Sequence, residues 1–154
     1  MKGDFNLAEK AFVMIKPNAI KRGLIGEIIK RYEQKGLKVV AMKMIKMKKE
    51  QAEELYKVHQ GKDFYQPLIE FILSGPVVVM ILEGPRVIEA VRSINGETDP
   101  LKAQAGSIRG EFGISVRKNI VHASDSVQSA EQEWGIFFEE NEIFEYLCGF
   151  ENEL

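Results

Sequence analysis

Apolar positions along the chain fall into short runs and helical stripes that alternate with turn residues. The run "AFVMIK" (Ala11 to Lys16) predicts a first strand, ended by Pro17, which has no N–H for a ladder. Leu24, Ile25, Ile28, Ile29 and Tyr32 then recur at helical spacing, and Gly36 stands where a C-cap belongs. "LKVVAMKMI" (Leu37 to Ile45) predicts a second strand and "KKEQAEELYKV" (Lys48 to Val58) a polar-faced helix. "QPLIEFILS" (Gln66 to Ser74) predicts another helix, with Pro67 tolerated in its first turn. "VVVMIL" (Val77 to Leu82) has no polar face, which marks it as the most buried strand. In "RVIEAVRSI" (Arg86 to Ile94), Val87, Ile88, Val91 and Ile94 share one helical face.

From Asn95 to about Gly113 the pattern vanishes. A loop of that length in a compact domain usually carries function or an interface. Brief extended segments are expected at Ile114 to Val116 and just before His122. A helix is expected from Ser126, with Val127, Ala130 and Trp134 facing inward and a capping-box pattern at Asp125-x-x-Gln128. The tail from Phe137 is aromatic and acidic and predicts a short final helix.

The resulting order, β-α-β-α-α-β-α-β-α, suits an α+β sandwich with helices on one face of the sheet, better than a doubly wound fold. The other face of "VVVMIL" then needs cover, for which a partner subunit is a candidate. At 154 residues, with neither linker nor repeat, a single domain spanning 1–154 is expected. The composition, 45% hydrophobic and 29% charged, is that of a globular protein. A net charge of −2 gives no global basic field for nucleic acid, so any anion site must be a local cluster. The one cysteine, Cys148, suits a reducing cytosol, and no apolar run is long enough to span a bilayer.

Neither a Walker glycine loop nor a GxGxxG occurs, so phosphate binding would have to come from side chains. Candidates cluster around the unpatterned region: Arg92, Thr98, Arg109 and Asn119, with Lys16 at the end of the first strand. Guanidinium groups grip phosphate oxygens bidentately, whereas a lysine acts as a point charge. On composition alone, a solvated surface charge is the commoner role of each. His122 stands where a strand gives way to a helix. Glu133, off the Val127–Trp134 face, is placed to orient an imidazole and leave its other nitrogen free to attack. Tyr56 and Phe64 flank "HQGKD", either as packing or, for Phe64, as a stacking surface for a planar ligand. The lysines at 43, 46, 48 and 49 read as a solvated strand edge more readily than as a nucleic-acid contact.

Taken together, "FVMIKPNAIKRGLIGEIIKRYEQKG", "SGPVVVMILEG", "INGETDP", "GSIRGEFG" and above all "NIVHASDSVQSAEQE" closely resemble the nucleoside diphosphate kinase family, from about Lys10 onward. The resemblance implies a ferredoxin-like α/β sandwich with an antiparallel sheet covered by helices. It implies ping-pong transfer of the terminal phosphate from a nucleoside triphosphate, mainly ATP, to a nucleoside diphosphate, which maintains triphosphate pools in the cytoplasm. Mg²⁺ would be carried by the nucleotide and not by protein ligands. A symmetric homo-oligomer, most often a hexamer, is implied, with no membrane and no obligatory nucleic acid. By the same resemblance His122 would be the nucleophile, oriented by Glu133, with Glu133 in turn held by Ser124. Lys16, Tyr56, Arg92, Thr98, Arg109 and Asn119 would surround the phosphates and ribose, and Phe64 would stack on the base.

Three departures stand out. Asn18 replaces an aspartate common in the family, Ala123 replaces a frequent glycine, and "DFYQPL" reshapes the lip near Phe64. The last bears on base affinity and not on the transfer step. A nucleotide- or nucleic-acid-binding regulator on the same fold, and a phosphorelay histidine serving a protein acceptor, are the competing expectations.

Overall fold

The computed structural model describes residues 8–149. Four strands, β1 (Ala8–Ile15), β2 (Lys38–Ile45), β3 (Val77–Pro85) and β4 (Val121–Ala123), form one sheet in the order β2-β3-β1-β4. Every adjacent pair is antiparallel. The helices are α1 (Pro17–Lys21), α2 (Ile25–Gln34), α3 (Lys49–Leu55), α4 (Tyr65–Ile72), α5 (Val87–Asn95), α6 (Ile108–Phe112) and α7 (Val127–Phe137). This is the expected α+β, ferredoxin-like arrangement.

The side-chain alternation of the two central strands divides the core. Ala11, Val13 and Ile15 of β1, with Val78, Met80 and Leu82 of β3, pack against Ile28 and Tyr32 of α2 and Val87 and Val91 of α5. Phe12 and Met14, with Val77, Val79 and Ile81, pack on the opposite face against Ala52 and Leu55 of α3, Ile69 and Ile72 of α4, and Phe137 of α7. Helices of the same chain therefore cover both faces. The expectation of a one-sided sandwich awaiting a partner is corrected: the unbroken apolar run of β3 records burial on two sides.

Other boundaries differ for local reasons. Pro17 does not merely stop β1; it opens the short α1, where its missing N–H costs nothing. The patternless region holds the five-residue α6, capped by Ser107, whose hydroxyl accepts from the Gly110 N–H at 3.1 Å. Ile114 to Val116 is not a strand, and Ile114 and Val116 are exposed. At α7 the cap is Ser126, which accepts from the Ser129 N–H at 3.0 Å, in place of the expected Asp125 box. Ala130 is buried and Trp134 packs on the core, but Val127, in the first turn, is exposed. The described part of the tail forms a 3₁₀ turn (Glu140–Glu142) and then runs beside β2, where the Phe144 N–H donates to Val40 O at 2.8 Å. Residues 150–154 of the expected final helix lie outside the described part of the chain. Lys43, on the edge strand, pairs with Glu142 at 2.9 Å. Among the described residues no helix is long and apolar enough to cross a membrane.

Candidate active site

Three connections meet at the edge where β1 ends and β4 begins. Antiparallel pairing puts His122 opposite Met14 and Val121 opposite Ile15, so the histidine sits beside the end of β1 that leads into Lys16. Immediately before β4, the Val121 N–H donates to Asn119 O at 2.9 Å across Ile120, whose φ is +80°. That is a γ-turn of the rare positive-φ kind, unfavourable for a β-branched residue. It persists because Ile120 is fully buried and its carbonyl accepts from the Lys16 N–H at 2.9 Å. The turn aims the next two residues into a cleft of about 1280 Å³.

The cleft is lined by Lys16, Tyr56, Phe64, Arg92, Thr98, Arg109, Asn119, His122 and Glu133. Nine of the ten residues singled out from the sequence are thus brought together, although they span 118 positions from Lys16 to Glu133. Ser124 is the exception. Its hydroxyl accepts from the Phe12 N–H at 3.0 Å and lies 3.4 Å from Phe12 O, so it ties β4 to β1. The expected Ser124–Glu133 contact is therefore corrected: the serine is spent on backbone.

His122 Nε2 lies 2.8 Å from Glu133 Oε1, with side chains 20% and 15% exposed. A carboxylate accepts, so Nε2 carries the proton and Nδ1 keeps its lone pair. The ring is wedged between Tyr56, edge-on at 5.7 Å, and Phe12 at 6.1 Å. Two buried polar atoms here, Tyr56 Oη and Glu133 Oε2, have no hydrogen-bond partner among the described residues. Burial and then the Glu133 charge push the Tyr56 phenol up, so it remains a donor. Such atoms call for a partner from outside the chain.

The cations are of three kinds. Arg92 is exposed in the last turn of α5. Arg109 is buried, and its guanidinium donates to Asn119 O at 3.2 Å, Gly96 O at 2.7 Å and Val121 O at 2.7 Å. It gathers the loop, the γ-turn and β4 onto one rigid fork. Helix α6 can approach closely because residue 110 is glycine: a Cβ there would stand 2.2 Å from Gln104 O. Lys16 is also buried, donates to Asn119 Oδ1 at 2.7 Å, and through Asn119 Nδ2 connects to Thr98 O at 3.1 Å.

Burial, and then the neighbouring Arg109 charge, lower the Lys16 pKa to about 7. Between pH 7 and about 10 the unfolded chain then holds more protons on this residue than the folded one, so stability should rise with pH across that window. Thermal unfolding from pH 7 to 10 should show the rise in the native chain and lose it in Lys16→Met. Equal slopes in the two would contradict it.

Several cleft residues were not singled out, Val116 and His59 among them. Val116, 57% exposed, and His59 line the outer part with Phe64. Val116 lies in a segment with no periodicity, so only the fold reveals it. His59 is far from His122 in the sequence, yet the fold places both in one cleft.

A wedged imidazole with one nitrogen held by a carboxylate, at the base of a cleft with fixed cations, suits nucleophilic attack on an anion. The sequence profile described as "Nucleoside diphosphate kinase" matches residues 9–143. The chain is a member of the nucleoside diphosphate kinase family. Among relatives, a nucleoside diphosphate kinase of Kosmotoga olearia is 62% identical over 138 residues, covering 90% of this chain and 94% of that one. The nucleoside diphosphate kinase of Thermosipho melanesiensis is 58% identical over 146 residues, covering 95% and 99%. A halophilic nucleoside diphosphate kinase from Halobacterium salinarum, solved in complex with CDP, superposes with a TM-score of 0.91. That structure is 39% identical to this chain and covers 94% of it, with 97% of its own length matched. Nucleoside diphosphate kinases are phosphotransferases, and this chain is one of them. Ala123, the departure beside the histidine, is not among the residues of positive φ, so the missing glycine is accommodated without strain.

Proposed function

We propose that His122 carries the phosphate between two nucleotides, and that residues 1–154 act as one domain in doing so. The observation that supports this best is the Nε2–Glu133 contact at 2.8 Å, which leaves Nδ1 as the free nucleophile. In the first half-reaction the Nδ1 lone pair attacks the terminal phosphorus of a nucleoside triphosphate, mainly ATP. The phosphorus–oxygen bond to the diphosphate breaks, and the diphosphate leaves with the electron pair. Glu133 stabilises the charge that develops on the ring while Nε2 keeps its proton. In the second half-reaction a terminal oxygen of another diphosphate attacks the phosphorus and restores the imidazole.

Lys16, Arg92 and Arg109 supply positive charge for the transferring oxygens, where most of the stabilisation in phosphoryl transfer arises. Tyr56, through its unpartnered hydroxyl, together with Thr98 and Asn119, contacts phosphate or ribose. Phe64, 44% exposed at the mouth, stacks on the base, and a π-face accepts any base. In this reading Mg²⁺ enters as part of the nucleotide substrate. Bound there, it offsets phosphate charge. Triphosphate supply in the cytoplasm is the role that fits, with no obligatory nucleic acid. A homo-oligomer, most often a hexamer, is in keeping with the exposed Met42 and Met44 on edge strand β2.

The test uses terminally labelled ATP with Mg²⁺ and no acceptor. Acid-labile, base-stable label on the protein, released to added GDP, is the expected result. Binding of ATP without uptake of label would overturn the reading and favour a nucleotide-binding protein.

A further inference from the structure

Residues 59–64, "HQGKDF", form the outer lip of the cleft, and none of the roles above uses His59. Its ring lies 6.3 Å from Tyr56, nearly parallel at 27°, and 5.1 Å from Phe64, edge-on at 60°. A file of rings therefore runs outward from His122 through Tyr56 and His59 to Phe64. Lys62 Nζ stands 3.2 Å from His59 Nδ1 and 5.6 Å from the centre of the Phe64 ring. An ammonium can only donate, so Nδ1 accepts and the imidazole is neutral with its proton on Nε2. Burial, and then the Lys62 charge, favour that neutral form. The tight return of the lip depends on Gly61, at φ +87°, and on the Lys62 N–H donating to His59 O at 3.0 Å.

Phe64 is exposed, and without these contacts its ring would have rotamers to choose among, each lost again when a base stacks. We propose that His59 is a positioning residue: with Lys62 it holds the Phe64 ring ready as the platform for the nucleotide base, and so sets base affinity without touching the transfer step. The inference rests on the kinase reading and on Phe64 as the base platform. It assigns a task to lip residues that come just before the departure at "DFYQPL".

The experiment measures KM and kcat for GDP, with ATP as donor, in the wild type and in His59→Ala and His59→Phe. It also measures inhibition by inorganic tripolyphosphate, which has phosphates and no base. His59→Ala should raise the GDP KM about five- to tenfold, the worth of one aromatic pair, and leave kcat within about twofold. Tripolyphosphate inhibition should be unchanged. His59→Phe restores a ring between Tyr56 and Phe64 and should bring KM back to within about twofold of wild type. An unchanged KM in His59→Ala, an equal loss of tripolyphosphate inhibition, or no recovery in His59→Phe would each overturn the proposal. Label uptake from ATP, followed in the same proteins, separates the two ideas. A wild type that takes up no label removes the kinase reading and this inference with it, whereas a labelled wild type with a silent His59→Ala removes the inference alone.

Discussion

In His122→Asn, uptake of label from ATP should vanish and kcat should fall by roughly 10⁴–10⁶, the scale of losing a covalent nucleophile. Neither Glu133 nor Lys16 can substitute. Glu133 is largely buried and already engaged, and Lys16 is buried with its side-chain nitrogen on Asn119. Asparagine keeps a short polar side chain beside Glu133, and the pocket between Phe12 and Tyr56 loses only part of its filling. Nucleotide binding, measured by calorimetry with ADP, should therefore stay close to that of the wild type. A variant that binds ADP and still turns over at more than about one per cent of the native rate would show that phosphate travels by another route.

The second large effect is expected at Arg109, and it should appear in stability and activity at once. Arg109→Met removes donors from three carbonyls, at Gly96, Asn119 and Val121. Each buried acceptor left without a partner costs about 1–3 kcal/mol, but relaxation and entering water make the total smaller than the sum, roughly 3 kcal/mol. For a domain of this size that corresponds to a drop of about 6–12 °C in Tm. The γ-turn at Ile120 loses the fork that holds both its ends, so the ring of His122 loses its aim. Together with the lost positive charge this should lower kcat/KM by about 10²–10³. Arg109→Lys should recover little, because one ammonium cannot reach three carbonyls spread around a planar fork. Differential scanning calorimetry and steady-state kinetics on the two variants decide the matter. Loss of activity with no change in Tm would mean that Arg109 acts on the phosphates alone.

How much of this was legible in the sequence depended on how long each signal ran. The stripe from Leu24 to Tyr32 covers two and a half turns, enough to declare α2, and "VVVMIL" declared β3 by the absence of any polar face. Helices α1 and α6 have five residues each, less than two turns, so no periodicity could reveal them. Three residues at Ile114 to Val116 match a strand as easily as a loop, and the fold made them a loop of which Ser115 and Val116 line the cleft. Ser126 and Asp125 are both good caps, and only the backbone decides between neighbours. For the site, the motif around His122 pointed to the histidine and the glutamate, because a helix beginning at a known place brings residue 133 back over residue 122. Backbone hydrogen-bond partners leave no trace in a sequence. That is why Ser124 was assigned to Glu133 and not to Phe12, and why Arg109 was expected on phosphates before it was seen holding carbonyls.

The choice of carbonyls over carboxylates has a consequence for how substrates arrive. The hydrogen-bonded partners of Arg109 and Lys16 are all uncharged, so neither cation is cancelled by an acidic side chain bonded to it. A chain with a formal net charge of −2 thus presents a pocket of positive potential framed by low-dielectric walls. An incoming polyanion is drawn toward that pocket over a distance comparable to the Debye length, so added salt slows its arrival. The hydrogen bonds that hold the floor in place lie below the surface, where mobile ions do not reach them. Ionic strength therefore governs the frequency of encounters and leaves the geometry that receives them intact.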